Sequence, residues 1–156
     1  RSSVRPCVRW REPALMLELL DLRQALMRAY DHCLTPVQEA SGLNRTELDV
    51  LLFLANNPAY DTAADMVRRR GLSKSHVSTT VERLVQRGLL TRSADQADRR
   101  TVHLSPTSAA QEAIAQGRAA QEEIGRWMLR GISAEDQAAL SRVLTQMLDN
   151  LRDFKS

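Results

Sequence analysis

Cysteine is nearly missing from the sequence: Cys7 and Cys33 are the only two, too few and too far apart for a disulfide framework or a zinc site. Lysine is as scarce, occurring only as Lys74 and Lys155, so almost all positive charge is arginine. Arginine suits bidentate recognition of phosphate and guanine, although a GC-rich coding sequence gives the same bias. No run approaches the roughly 20 apolar residues of a membrane-spanning helix, and residues 1–11 lack the apolar stretch of a signal peptide. A reducing cytoplasm is the expected location, with no membrane partner. Catalytic signatures are missing too: there is no HExxH, P-loop, GxGxxG or GxSxG. His32, His76 and His103 share no motif spacing, and the carboxylates scatter over polar helix faces. Neither an enzyme, a cofactor nor a metal site is expected. Internal repeats and low-complexity tracts are absent as well.

What is present is the composition of one ordinary folded domain. The 156 residues are 43% apolar and 26% charged, with a formal charge of +3 and a pI near 9.3. That length suffices for a real core, and the charge is only mildly basic. Residues 1–12 are expected to be a disordered tail or an artificial remnant, ahead of a single domain over 13–156. Pro13 fits a first helical position. Leu15, Leu19, Leu22 and Leu26 then recur at helical spacing, and Ala29, Tyr30 and Cys33 continue the stripe. This helix is expected to end or kink before Pro36, with Cys33 as a small core residue.

The middle of the chain is punctuated by helix starts and stops. Asn44 followed by Glu47 is a capping box, opening a helix that turns Leu48, Leu51, Leu52 and Ala55 inward and closes at Asn56-Asn57-Pro58. Thr62 with Asp65 caps a short helix, Ala63 to Arg70, which Gly71 stops. Ser73 caps the next helix. On that helix Val77, Val81, Leu84 and Val85 share one face, while Ser75, His76, Thr79, Arg83 and Gln86 take the other. Two short helices joined at a glycine turn, the second polar on its outer face, form a helix-turn-helix. A small, polar, partly basic face suits the edges of bases. Arg68, Arg69 and Arg70 fit either favourable charge at a helix C-terminus or phosphate contact.

Gly88 is the expected stop after this helix. Leu89 to Ser93 and Thr101 to Leu104 read as two short strands, with a polar hairpin tip between them and His103 as a solvated strand residue. A hairpin in that place is a wing. Pro106-Thr107 is expected to open a long helix with Ala110, Ile114, Gly117, Ile124, Trp127 and Met128 along one stripe. Gly131 interrupts, and Ser133 with Asp136 caps the last helix. There Leu140, Val143, Leu144, Met147, Leu148 and Leu151 make the most continuous apolar face in the chain, and such a face needs a partner. The first helix offers a matching row, Leu15, Leu19 and Leu22. Together they predict a two-fold dimer built from both ends of the chain. The fold class is therefore mainly α with a small β-hairpin wing: helices over 13–43 and 106–156 for dimerisation, and a winged helix-turn-helix over 44–105.

Three blocks carry a resemblance. They are Leu72-Ser73-Lys74-Ser75-His76-Val77-Ser78, Leu84-Val85-Gln86-Arg87-Gly88-Leu89-Leu90, and Asp98-Arg99-Arg100 followed by Val102-His103-Leu104-Ser105-Pro106-Thr107. With these blocks the chain resembles the MarR family of bacterial transcription regulators, over essentially all of its length after residue 13. The Asp-Arg-Arg wing followed by a strand and a long helix is the most specific part. The resemblance implies a homodimer on a pseudo-palindromic DNA operator, usually repressing nearby genes and often released by a phenolic or carboxylated effector. The DNA-binding residues it implies are Ser73, Lys74, Ser75, His76, Ser78, Thr79 and Arg83 on the helix, and Arg92, Asp98, Arg99 and Arg100 on the wing. Arg100 takes the minor groove, oriented by Asp98, and Arg99 is left for phosphate or solvent. Tyr30 and Trp127 are candidate effector walls, with plain core as the alternative. The chain departs from the family in Thr79 and Thr80, where many members carry arginine, and in Ala97, which replaces a frequent wing arginine. Cys33 lies at the wrong end of the first helix for the family's thiol sensors. A winged helix that binds protein and a ligand-independent DNA-binding protein stay open as alternatives, and the lack of His, Cys and carboxylate clustering speaks against a metal sensor.

Overall fold

The computed structural model describes residues 12–98 and 100–154. Helix α1 (Glu12–Ser41) is followed by α2 (Arg45–Asn56), α3 (Ala63–Arg70) and α4 (Lys74–Gln86). Strands β1 (Leu90–Ala94) and β2 (Val102–Pro106) come next, then a single 3₁₀ turn (Ser108–Ala110), α5 (Gln111–Met128) and α6 (Ala134–Asp153). The expectation of a tail falls outside the described residues for 1–11, and Glu12 already belongs to α1.

The caps form as the sequence predicts. The Glu47 N–H donates to Asn44 Oδ1 and the Asn44 N–H to Glu47 Oε2, each at 2.9 Å. Thr62 and Asp65 make the reciprocal pair at the start of α3, and Ser73 Oγ accepts the His76 N–H. Gly71 adopts φ +64°, the left-handed conformation that lets α3 stop and α4 start three residues later.

Pro36 does not end the first helix, which runs on to Ser41. An interior proline normally costs about 3 kcal/mol by deleting a hydrogen bond and crowding the preceding turn. Here Leu34 and Val37 on either side of it are both buried, and that packing keeps the chain helical. The helix stops instead at Gly42, whose φ is +64°.

Contacts divide the chain into two compact units, meeting between Gln121 and Glu122 within α5. In the first unit, α2 supplies the middle of the core. Its residues Leu48 and Val50 to Leu54 are all buried, joined by Leu34, Met66, Val77, Val81, Leu84, Leu90, Leu104 and Ile114. Cys33 is half-buried against this cluster. The hairpin is antiparallel, pairing Leu90 with Pro106 and Ala94 with Val102. Pro106 thus lies in β2 rather than at a helix start. Thr107 does not cap either: its hydroxyl donates to the Gly88 carbonyl at 2.6 Å, tying the strand to the turn after α4. In the second unit, α6 has no buried residue among those described.

Gly117 of α5 faces α2 closely. A Cβ built there would sit 2.9 Å from Leu52 Cδ2 and 3.0 Å from Cδ1, whereas one at Gly125 would meet nothing within 4 Å. Replacing a helical glycine by alanine usually stabilises by about 0.5–1 kcal/mol. Chemical unfolding should show that gain for Gly125→Ala and none for Gly117→Ala; equal gains would mean that α5 does not press on Leu52.

Candidate nucleic-acid interface

Helix α4 is divided lengthwise by burial. Val77 and Leu84 are wholly buried and Val81 nearly so, with Val85 half-buried beside them. Lys74, Ser75, His76, Ser78, Thr79, Arg83 and Gln86 are all exposed, as is the cap Ser73. Every candidate DNA-contacting residue of this helix therefore lies on its open side. The neighbouring threonines part company: Thr79 is exposed, but Thr80 is buried and its hydroxyl donates to the His76 carbonyl at 2.9 Å. Only the first is open to solvent.

The C-terminal end of α4 is fixed by an ion pair that capping logic alone did not reveal. Arg87 Nη1 lies 3.1 Å from Glu47 Oε2 and 3.2 Å from the Gly42 carbonyl. Glu47 is only 5% exposed, so the capping carboxylate of α2 also holds the end of α4. The 40-residue separation leaves no spacing signal in the sequence.

A second unforeseen partner is Glu82. It stands on the exposed side of α4, 2.8 Å from the Arg92 guanidinium on β1. Arg92 holds the Glu82 carboxyl below the usual carboxylate range. Arg92 is thus placed as a strut between helix and wing. The basic run before the turn is engaged as well. Arg68 pairs with Asp65 at 2.7 Å, the Arg69 guanidinium lies 3.3 Å from the centre of the Tyr60 ring, and Arg70 lies 5.3 Å from that of Phe53.

The wing tip is organised by two aspartates. Asp95 Oδ1 accepts the N–H groups of Ala97 and Asp98, both at 2.7 Å. Asp98 accepts the Arg100 N–H and the Thr101 hydroxyl, both at 3.0 Å. Asp98 thus holds the Arg100 main chain, while the Arg100 side chain is exposed and makes no ion pair with Asp98. Arg99 lies outside the described residues. His103 is not the solvated strand residue that alternation suggests. Its Nδ1 is 2.8 Å from Asp61 Oδ1 and its Nε2 3.1 Å from Asp95 Oδ2. Strand alternation places a side chain on a face but says nothing of a loop 42 residues upstream.

The candidate effector walls fall in different units. Tyr30, in the first, is half-buried: its hydroxyl accepts from Gln121 Nε2 at 2.8 Å, and the Arg45 guanidinium lies 4.3 Å from its ring centre. Burial pushes the Tyr30 phenol up, and likewise the Asp49 carboxyl, despite Arg45 Nε at 2.9 Å from the latter. Trp127, in the second, is 65% exposed rather than core and lines an open groove with Glu123, Arg126 and Arg130. Most of the candidate dimer residues are open as well. Leu22, Leu140, Val143, Leu144, Leu148 and Leu151 are exposed, while Leu15, Leu19 and Met147 are half-buried. Among the described residues no cluster of His, Cys, Asp or Glu is placed to hold a metal ion, and no helix is long and apolar enough to cross a membrane.

The model of the MarR family matches residues 41–101, from the end of α1 through the wing. No curated protein sequence matches the chain. Among solved structures, the transcriptional regulator PA3341 is similar at 26% identity and a TM-score of 0.77, over 90% of this chain and 99% of that one. A MarR-family transcriptional regulator from Listeria monocytogenes, solved with a 26mer DNA, shares the fold at 17% identity and a TM-score of 0.73, covering 86% of this chain and 89% of its own. The organohalide-sensing regulator RdhR-CbdbA1625, solved with 2,4-dichlorophenol, shares it at 19% identity and a TM-score of 0.64, over 96% of this chain and 88% of that one. The family match covers the helix-turn-helix and wing, and the fold follows a solved transcriptional regulator at 26% identity over most of this chain, so the chain is similar to MarR-family transcription regulators.

Proposed function

We propose that the protein is a homodimeric, cytoplasmic repressor that binds a pseudo-palindromic operator and leaves it when a small aromatic or carboxylated effector binds. The observation that carries the DNA reading is the open polar face of α4, set against a fully buried apolar one. In this reading Ser75, His76, Ser78, Thr79 and Arg83 meet base edges in the major groove, with Ser73 and Lys74 at the phosphates. Arg100 enters the adjacent minor groove, where a narrow A·T-rich segment attracts a guanidinium; Arg99 is left for a phosphate or solvent. The effector part rests on kinship with proteins such as the dichlorophenol-bound regulator, with Tyr30 and Trp127 each a candidate contact within its own unit. Thermal-shift screening of aromatic carboxylates and phenols tests it, and uniform silence would favour a ligand-independent repressor.

Selection from random duplex DNA supplies the site for the central test. If a dimer neutralises roughly 6–10 phosphates, affinity for that site should fall by about 10³–10⁵ between 50 and 200 mM salt. A flat response would favour a protein-binding winged helix instead. Arg100→Ala should cost about 1–3 kcal/mol of binding, the size of one specific contact, and Arg99→Ala less. Equal affinities of wild type and Arg100→Ala at matched salt would remove the minor-groove role.

The dimer reading is supported by apolar residues that one chain leaves open on both end helices, Leu17, Leu20 and Leu22 on α1 and Leu144, Leu148 and Leu151 on α6. Leu144→Asp or Leu148→Asp would put an unpaired charge into that seam. Sedimentation should then show monomers with weakened operator binding, and variants that stayed dimeric would place the seam elsewhere.

A further inference from the structure

Strand β2 is held along both edges. One edge pairs with β1. The other meets the segment before α3, where Thr62 forms an antiparallel bridge with His103 and the Leu104 N–H donates to the Asp61 carbonyl at 2.8 Å. The His103 side chain reinforces this junction, set between Asp61 Oδ1 at 2.8 Å and Asp95 Oδ2 at 3.1 Å. An ionised carboxylate only accepts hydrogen bonds, and a neutral imidazole has one N–H to give. Both contacts are hydrogen bonds together only when the ring is an imidazolium. Asp95 in turn holds the Ala97 and Asp98 N–H groups, and Asp98 holds the Arg100 N–H. A short series of bonds therefore joins the loop before α3, the His103 ring, the end of β1 and the wing arginine.

We propose that His103 is a positioning residue for the wing. As an imidazolium it clamps the hairpin tip to the loop in front of α3; as a neutral ring it gives up one of the two carboxylates, so the order of the tip, and DNA affinity with it, follows its charge. The effect on affinity rests on the reading of the wing as a DNA contact; the clamp itself does not.

Asp61, from the loop before α3, and Asp95, just after β1, are the charged groups facing the ring. The other charges on the surrounding elements are engaged elsewhere: Asp65 with Thr62 and Arg68, Arg92 with Glu82, and Asp98 with Arg100 N–H and Thr101. Arg100 is exposed at the tip. The bond to Asp61, then that to Asp95, holds His103 protonated above its ordinary range. Asp95 is held below the usual carboxylate range, first by the Asp98 N–H and then by His103. A raised histidine contributes fully below its ordinary value of about 6.5 and loses that contribution as pH rises through the higher folded value. The depressed Asp95 contributes above its ordinary value and fails only in stronger acid. The histidine's part of the clamp is thus complete below about pH 6.5 and weakens on the alkaline side.

The full chain tests this with amide hydrogen exchange at Thr101 and Leu104, corrected for intrinsic rates, between about pH 5.5 and about pH 8.5, either side of the histidine range. Tip exchange should accelerate up to about fivefold as His103 titrates, the scale of an exposed ion pair. His103→Gln, which has no charge to lose, should exchange at a rate independent of pH. Asp61→Asn should move the His103 midpoint down in an NMR titration. Affinity for the selected duplex, at matched ionic strength, should fall by the same factor in wild type and hold steady in His103→Gln. Flat exchange in wild type, or the same pH dependence in His103→Gln, would overturn the clamp. Absence of duplex binding at every pH would instead sink the DNA reading, leaving exchange alone to decide the clamp.

Discussion

The seating of α4 on the core is the constraint from which the interface follows. Val77 and Leu84 are completely buried and Val81 nearly so. Each such side chain is worth about 1.5–3 kcal/mol of burial. Turning the helix by one residue, about 100°, would expose that face and bury hydroxyls and a guanidinium in its place. The helix therefore has one stable rotation, and it presents Ser75, Thr79 and Arg83 outward together. Ser73 fixes its start and the Arg87–Glu47 pair its end. Ser75 and Thr79 have little reach of their own, so a helix held that firmly decides where their hydroxyls stand.

The wing depends on a different kind of support. A two-stranded hairpin is marginal by itself in water, and among its described residues only Leu90 and Leu104 are buried in the core. The remainder comes from polar attachments: Arg92 to Glu82 on α4, Thr107 to the turn after that helix, and the Asp61 and Thr62 segment along β2. Because these bonds are half-exposed, they are sensitive to charge and salt in a way that the buried face of α4 is not. Helix α4 and the wing thus share one scaffold but differ in what would loosen them.

Much of this was legible in the sequence, because the signals were local. Asn44 with Glu47, Thr62 with Asp65, Ser73 and Gly71 each mark a helix boundary by chemistry confined to a few residues, and the spacing of Val77, Val81 and Leu84 separates the two faces of α4. Legibility ended where the partner lay far along the chain. Glu47 reads as a cap and turns out to hold Arg87 as well; His103 reads as solvated and is bracketed by Asp61 and Asp95. Pro36 misled because local propensity points to a break, whereas Leu34 and Val37 are buried around it. Thr79 and Thr80 look alike in sequence and lie on opposite sides of the boundary between solvent and core.

The claim at the centre is that the open face of α4 reads bases. It is tested most directly by repeating the duplex selection with Thr79→Asn, an exposed change that leaves the buried face untouched. An amide that can pair with adenine in place of a hydroxyl should alter the preferred base at the same position of each half-site and leave the other positions as they were. An unchanged consensus from a folded Thr79→Asn protein would contradict the account.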